Sequence, residues 1–276
     1  EHFVKYLRRK DVIRATEKTS FYVYDAEKKF VVADINIDSQ VMAASMIKPF
    51  VMLAAYQKMK KTGLLNSRVS RGKRIRRNKL VKTIKKMIQY GPRGSASGNR
   101  ATNSVLKYLG GPRKAQSYLG ELDLFEKTKI VERIPGGGRT YRNMISTHDL
   151  NILLNQLYRG NLVSKDISKE MLDILGGYQT SRIKRAVLPL TGVKSLAGKT
   201  GFVYGVNGES AIINYENKAG QKRPIIFTAL LEDRTKPRSS RRDRNWGKIS
   251  SEIIRNVAKL TIIHYQGEMV DRYRNR

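Results

Sequence analysis

Apolar side chains recur along the chain in two spacings, one of about 3.6 residues that is typical of helices and one of two residues that is typical of strands. The helical spacing occurs near the start, over residues 3–14. Residues 21–24 and 30–33 are short apolar runs on either side of a polar stretch, which predicts a hairpin of two strands. A helix that is apolar on most faces follows over residues 45–60 and ends at Gly63. The apolar stripe of the first helix consists of Phe3, Val4, Leu7 and Val12.

The middle of the chain, over residues 78–177, is mostly helical in pattern and is interrupted by turns rich in glycine and proline. Beyond it the spacing changes to two residues, which predicts strands over residues 193–203, 209–215 and 224–231. A turn is predicted at Asn207-Gly208, between the first two of these strands. A long closing helix follows, because its apolar residues recur at intervals of three and four. Its stripe consists of Trp246, Ile249, Ile253, Val257 and Leu260.

This order of elements predicts an α+β fold. Strands from both ends of the chain form one five-stranded antiparallel sheet, flanked by the terminal helices, with an all-helical subdomain beside it. Residues 1–40 supply the first helix and two strands of the α/β part. Residues 41–190 form the helical subdomain, and residues 191–276 return with three strands and the last helix.

The composition is that of a globular protein. The chain has 276 residues, of which 40% are hydrophobic and 28% are charged, so it can bury a large core. No apolar run approaches the roughly 18 residues that a membrane-spanning helix requires. Cysteine is absent, which excludes disulfides, thiolate metal sites and a cysteine nucleophile. The three histidines lie far apart in sequence, and we expect neither a metal nor a cofactor.

The formal net charge of +32 predicts an anionic partner, because a field of that sign concentrates polyanions near the surface. The basic residues are densest over residues 68–86 and 234–244. No zinc-finger, RNP-type or basic-zipper pattern accompanies them, so specific nucleic-acid binding is not expected. An anionic cell-wall polymer fits as a partner. The alternative is a solvated basic surface that keeps the protein soluble.

The first candidate catalytic motif is Ser45-Met46-Ile47-Lys48, which reads S-x-x-K. Lys48 lies one turn after Ser45, and burial in an apolar helix favours the neutral amine that can take the proton of the serine hydroxyl. The alternative is a capping serine and a lysine that extends to solvent. Two other S-x-x-K sequences begin at Ser70 and Ser181. We predict the first in a basic loop and the second on an exposed segment, and therefore assign neither to a site.

Two further motifs supply the remaining groups that an acyl-transfer site needs when no histidine acts as the base. Ser97-Gly98-Asn99 is predicted in a loop before a helix over residues 100–109, where Ser97 can relay a proton and Asn99 can bind a substrate amide. An ordinary helix cap is the alternative. Lys199-Thr200-Gly201 lies within a strand, where Gly201 permits close approach of a ligand and the other two residues bind a carboxylate. A second K-T-G at residues 61–63 only closes a helix.

With these motifs in this order, the chain resembles the penicillin-recognising serine enzymes and, most closely, class A β-lactamases. Residues 97–103 are similar to the S-D-N-x-A-A-N helix entry of that family. The resemblance implies the β-lactamase/transpeptidase-like fold and acylation of Ser45 by a β-lactam or an acyl-D-Ala-D-Ala peptide. It also implies an oxyanion hole made by the backbone N–H groups of Ser45 and Phe202.

The chain departs from the family where deacylation is concerned. Class A enzymes carry E-x-x-x-N after S-D-N, and the glutamate of that motif activates the water that frees the acyl-enzyme. No such pairing exists here, and Glu132 and Glu126 are the candidates for a replacement base. Glu132 belongs to a segment similar to the family's later E-x-I-P-G sequence, and Asn143 stands where an aspartate usually holds this loop.

The sequence therefore predicts an exported, monomeric serine hydrolase that is acylated at Ser45 and deacylates slowly. A lost general base costs about 10²- to 10⁴-fold in rate. Two alternatives stay open. One is a penicillin-binding D,D-peptidase, and the other is a non-catalytic relative that uses its basic surface to bind the cell wall.

Overall fold

The structure is a computed structural model that describes residues 2–66, 70–90, 95–135, 142–233, 235 and 240–267. Its strands are β1 Lys18–Asp25, β2 Phe30–Ile35, β3 Val41–Met42, β4 Met144–Ile145, β5 Val193–Val203, β6 Val206–Glu216 and β7 Lys222–Glu232. Five of them form an antiparallel sheet in the order β2-β1-β7-β6-β5, so that β1 from the first part of the chain pairs with β7 from the last. A short pair, β3 and β4, forms a second sheet.

Helices occupy both faces of the large sheet, and they are numbered in chain order. A 3₁₀ turn at Ala44–Ile47 runs directly into α2. The helices are α1 His2–Arg9, α2 Lys48–Lys61, α3 Arg71–Gln89, α4 Ser95–Leu109, α5 Pro112–Gly120, α6 Thr147–Tyr158, α7 Lys165–Gly176, α8 Lys184–Val187 and α9 Ser240–Tyr265. No helix in the described part of the chain is long and apolar enough to cross a membrane.

Two hydrophobic clusters hold these layers together. The larger one surrounds α2, whose side chains from Phe50 to Tyr56 are fully buried, because a helix that is apolar all round must be enclosed by other elements. The smaller cluster lies on the other face of the sheet, where Leu7 of α1 and Trp246 and Ile254 of α9 pack against the strands. The sheet is thus covered on one side by the terminal helices and on the other by the helical block.

The predicted fold class is confirmed, and the corrections concern the ends of elements. The first helix ends at Arg9, and Val12, predicted to be on its apolar stripe, is 42% exposed. Ile249 of the last helix is likewise exposed. The helical block begins at Arg71 and not at Asn78, since Ser70 caps α3 by accepting a hydrogen bond from the Lys73 backbone N–H at 3.4 Å. The Ser70 sequence is therefore a helix start and not a loop.

The turn predicted at Asn207-Gly208 is also wrong, because both residues lie inside β6. The chain reverses earlier, at Gly205, whose φ of +74° suits a glycine. Gly208 is required for packing, since a Cβ there would lie 2.5 Å from Leu230 Cδ2 and 2.8 Å from the Ala229 carbonyl oxygen. The glycine is therefore a close contact between strands, which the sequence alone does not distinguish from a turn.

Candidate active site

The backbone before Ser45 has an uncommon conformation. Ala44 is buried and has a φ of +43°, in the left-handed region that non-glycine residues rarely adopt. Such a residue costs of order 1–3 kcal/mol and persists only where its surroundings hold it. Here the preceding Ala43 N–H donates to the Asn143 carbonyl oxygen at 2.8 Å. Ser45 is thus presented from a fixed, strained turn at the start of the central helix.

Lys48 is the first residue of α2 and is only 4% exposed. Its Nζ donates to Asn99 Oδ1 at 3.0 Å. Burial lowers the pKa of Lys48 to about 8, because the charged ammonium loses its hydration. Ser45 and Lys48 line the same cleft. A buried amine that is partly neutral near pH 8 therefore stands one turn from the hydroxyl, as the motif predicts.

The Ser97-Gly98-Asn99 motif lies inside the first turns of α4, which begins at Ser95, and not in a loop before the helix. The Thr102 hydroxyl donates to the Gly98 carbonyl oxygen at 2.8 Å and fixes this turn. A Cβ at Gly98 would lie 3.7 Å from Lys48 Nζ, so the turn packs directly over the lysine. The contact of Asn99 with Lys48 uses the amide oxygen and leaves the NH₂ group of Asn99 as a donor. Ser97 is half-buried on the same turn.

Lys199, Thr200 and Gly201 lie on β5, which is an edge strand of the sheet. Lys199 is 4% exposed, and its Nζ donates to the Thr200 carbonyl oxygen at 3.0 Å. Burial, followed by repulsion from Lys48 and Arg182, lowers the pKa of Lys199 to about 7. Because Lys48 lowers the pKa of Lys199 by repulsion, the charge state of each lysine depends on the other.

Gly201 is the point at which the sheet contacts the turn that carries Ser45. A Cβ on Gly201 would lie 2.5 Å from Met46 Cγ, 3.2 Å from Met46 N and 3.3 Å from the Ala43 carbonyl oxygen. The strand therefore approaches as closely as a glycine allows. Phe202 follows at once and is 48% exposed on the rim of the cleft. The predicted motifs at the start of α2, on α4 and on β5 are thus brought to one place.

One wall of the cleft was not anticipated from the sequence. Glu209 on β6 is fully buried and pairs in register with Thr200. Its carboxylate accepts hydrogen bonds from the Tyr178 hydroxyl at 3.0 Å, from the Ser181 hydroxyl at 2.5 Å and from the Arg182 backbone N–H at 2.6 Å. Burial raises the pKa of Glu209, and these hydrogen bonds oppose that rise. The prediction that Ser181 lies on an exposed segment is wrong, since it is half-buried in the lining of the cleft and donates to Glu209.

Arg182 links this wall to the motif strand. Its guanidinium donates to the carbonyl oxygens of Gly208 at 3.2 Å and Gly201 at 3.3 Å. On the same segment, the hydroxyls of Thr180 and Thr200 are hydrogen-bonded at 3.0 Å. Glu209 therefore positions residues 180–182, which in turn contact Thr200 and Gly201 of the motif. The only sequence signal was a carboxylate at an alternating position of a buried strand.

The two glutamates considered as deacylation bases lie elsewhere. The side chain of Glu126 is 85% exposed, with its carboxylate 3.6 Å from the Lys127 ammonium. Glu132 Oε1 accepts from the Arg142 backbone N–H at 3.0 Å. Asn143 holds the intervening segment, because its Oδ1 accepts from the backbone N–H groups of Val131 and Glu132 at 2.8 and 3.1 Å. Neither glutamate is among the described residues that line the cleft.

The cleft has a volume of about 940 Å³ and a cationic lining. Within the described ranges, its lining includes no aspartate or glutamate, so an anionic ligand meets no repelling carboxylate there. Five basic side chains contribute to it, three of them arginines and two the motif lysines. The lining residues are Ser45, Lys48, Tyr90, Gln179, Thr180, Ser181, Arg182, Arg185, Ala186, Lys199, Thr200, Phe202, Ser251 and Arg255.

Comparison with known proteins agrees with this geometry. A sequence profile described as the β-lactamase enzyme family matches residues 6–257. No curated protein sequence matches the chain. The chromosome-encoded β-lactamase of Vibrio parahaemolyticus is 17% identical, with a TM-score of 0.72 over 96% of this chain and 98% of that chain.

Two further structures are of PBP-A. The first is 17% identical, with a TM-score of 0.70, and covers 94% of this chain and 96% of that chain. The second is a variant of PBP-A in an acyl-enzyme complex with penicillin G; it is 18% identical, with a TM-score of 0.69 and the same two coverages. At these identities, the likeness to all three structures is one of fold.

Proposed function

Because the chain belongs to the β-lactamase enzyme family, we propose that it is an active-serine enzyme whose Ser45 forms an acyl-enzyme with β-lactams or acyl-D-Ala-D-Ala peptides and deacylates slowly. The observation that carries the proposal is the placement of Lys48. Its amine is buried, is bonded to Asn99 and has a pKa lowered to about 8. A lysine of that kind can accept a proton from a neighbouring hydroxyl near neutral pH.

The proposed acylation step uses groups that line the cleft and two residues of α4, Ser97 and Asn99, beside Lys48. Ser45 Oγ attacks the carbonyl carbon of the substrate while Lys48 Nζ takes its proton. The backbone N–H groups of Ser45 and Phe202 stabilise the oxyanion that forms. The carbon–nitrogen bond then breaks, and the leaving nitrogen receives a proton through Ser97. Asn99 binds the substrate amide, and Lys199 with Thr200 binds the substrate carboxylate.

Slow release is proposed because the described lining of the cleft contains no carboxylate to activate water. With a β-lactam, the leaving amine stays tethered to the acyl group, and the acyl-enzyme waits for hydrolysis. A missing general base lowers the rate of that step by about 10²- to 10⁴-fold. Such slow hydrolysis favours a penicillin-binding D,D-peptidase, or a β-lactamase with a low turnover rate, over an efficient β-lactamase. Since the acyl-D-Ala-D-Ala peptide belongs to the cell wall, we also propose that the protein acts after export.

A covalent label tests the acylation step. We expect a fluorescent penicillin to label the protein and Ser45→Ala to abolish labelling, because the bond forms to the Ser45 oxygen. Ser70→Ala, in the similar sequence that caps α3, is the matched control and should label like the parent. Intact-mass spectra without an adduct at millimolar penicillin would reject the enzymatic proposal and leave the non-catalytic wall-binding relative.

Turnover of a chromogenic cephalosporin tests the deacylation step. We expect a burst close to one product per enzyme, followed by a slow steady rate. Many rapid cycles would mean that a base replaces the lost glutamate. Glu132→Gln and Glu126→Gln would then show which of the two supplies it. A loss confined to one variant would identify that residue.

A further inference from the structure

The surface of α3 carries a row of basic side chains that the proposed chemistry does not use. The helix contains no acidic residue. Basic residues recur at every third position from Lys73 to Lys85, and all five are exposed. Neighbours three apart on a helix have their Cβ atoms about 5–6 Å apart, so the charges follow one another along a continuous track. This basic row consists of Lys73, Arg76, Lys79, Lys82 and Lys85.

The row is unpaired within the part of the chain that the structure describes. The one side-chain ion pair found there on α3 belongs to Arg77, outside the row, which binds Glu170 at 2.7 Å. Arg71, Lys73 and Arg74 also lie in the first turn, where the helix dipole disfavours cations. Like charges at this spacing weaken a helix. These charges therefore destabilise α3. A bound anionic ligand would offset their repulsion, so we look for such a ligand.

The side chains of α3 argue against two classes of anionic ligand, a membrane surface and a single-stranded nucleic acid. A helix that binds a membrane surface presents an apolar face to the lipid, whereas α3 exposes a single large apolar side chain, Ile75, at 58%, which is too little to form such a face. Four other apolar side chains of α3 are buried in the protein, namely Val81, Ile84, Met87 and Ile88. Binding of single-stranded nucleic acid relies on aromatic side chains on which bases stack, and α3 contains no aromatic residue. Evenly spaced single charges on a convex helix instead complement a linear chain with one negative charge per repeat.

We propose that the basic row binds a linear phosphodiester polymer of the poly(glycerol phosphate) type. The choice of this polymer over other polyanions rests on the proposed function, which places the substrate in the cell wall. The helix ends at Gln89, and Tyr90 directly after it lines the catalytic cleft. A polymer along the row therefore lies beside the cleft, where it holds the wall material that bears it.

Binding is measured by fluorescence anisotropy with a labelled poly(glycerol phosphate) oligomer and the full chain. We expect the logarithm of affinity to fall with the logarithm of salt concentration with a slope of roughly −3.5, from five contacts to a flexible chain. Replacing all five row residues by glutamine should reduce affinity by at least about tenfold and flatten that slope. The matched control replaces five exposed lysines elsewhere, which removes the same charge. They are Lys10, Lys28, Lys29, Lys218 and Lys222.

The outcomes separate this proposal from the proposed function. Affinity retained within about twofold by the control, together with the loss in the row variant, supports the row as the site. Equal losses in the two variants would mean that only total charge matters and would overturn it. A single-stranded oligonucleotide with the same number of phosphates that binds more tightly would overturn the choice of polymer. Penicillin labelling of the row variant reports its fold and its acylation independently of polymer binding.

Discussion

At the scale of single residues, the site depends on two lysines that the fold removes from water. Lys48 and Lys199 are each 4% exposed, and burial is the main cause of both lowered pKa values. Their tasks require opposite protonation states, because the first must be neutral to accept a proton and the second must be charged to bind a carboxylate. The pH dependence of acylation should therefore separate them.

For an uncharged β-lactam ester, we expect the second-order rate constant of acylation to rise with pH and to reach half its limit near pH 8. The amine of Lys48 loses its proton as pH increases through its pKa of about 8, and only the neutral form accepts the proton of Ser45. Stopped-flow or quenched labelling across the pH range measures this. A flat profile between about pH 6 and pH 9 would exclude Lys48 as the base.

For the corresponding free acid, the rate relative to the ester should fall as pH rises through about 7. Lys199 loses its charge there, and with it the attraction for the substrate carboxylate. Lys199→Arg keeps a cation at that position at every pH and should leave the ratio of the two rates constant. A ratio that is independent of pH in the parent protein would show that another cation, such as Arg182 or Arg255, binds the carboxylate.

The residues of the motifs can be predicted from the sequence, whereas the residues that support them cannot, for a physical reason. Ser45, Lys48 and Lys199 occur in short motifs whose local secondary structure can be judged from apolar spacing. Glu209 and Ser181 meet across 28 positions of sequence, and nothing local to either residue indicates that contact. The arginine and lysine that follow Ser181 predict an exposed surface. A buried carboxylate on a distant strand compensates for that polarity.

At the scale of elements, the order of helices and strands is well predicted, whereas their ends are less so. Periodicity identifies the interior of an amphipathic element, but its ends depend on capping and packing. The start of α3 shows this, since five of the seven residues 71–77 are basic and six are exposed, and only the Ser70 cap marks the beginning. The motif at Ser97 shows the same effect, because α4 includes it and holds it with Thr102.

The contact of β5 with the turn before α2 gives a prediction for Gly201→Ala. A Cβ there would meet Met46 Cγ at 2.5 Å and two backbone atoms of the turn at 3.2 and 3.3 Å. The methionine side chain can move, but the turn must also shift by a few tenths of an ångström. We expect a loss of about 1–3 kcal/mol in the free energy of unfolding and slower penicillin labelling. Urea denaturation and labelling kinetics measure the two effects.

Gly72→Ala is the matched control. Gly72 lies in α3, and a Cβ there would have no neighbour within 4 Å. Alanine is the better helix former, so this variant should gain about 0.5–1 kcal/mol and label normally. If Gly201→Ala kept the stability and labelling of the parent, the strand would not press on the turn as described.

At the scale of the whole molecule, the charge of +32 and the cationic cleft act together on anionic substrates. The field of such a surface raises the local concentration of anions. Salt shortens its reach, from about 30 Å at 0.01 M to about 10 Å at 0.1 M. The monomeric state and export to the periplasm, the cell surface or the medium remain predictions, whereas this dependence on salt follows from the charge itself.

We therefore expect the second-order rate constant for acylation by an anionic penicillin to fall by roughly three- to tenfold between low salt and about 0.5 M salt. The uncharged ester of the same penicillin should change little, because the field does not attract it. Measuring both compounds at one pH removes the contribution of the lysine pKa values. A parallel decline of the two rates would place the effect of salt on the protein fold. A decline in neither would show that the cations of the cleft, and not the surface as a whole, govern access to Ser45.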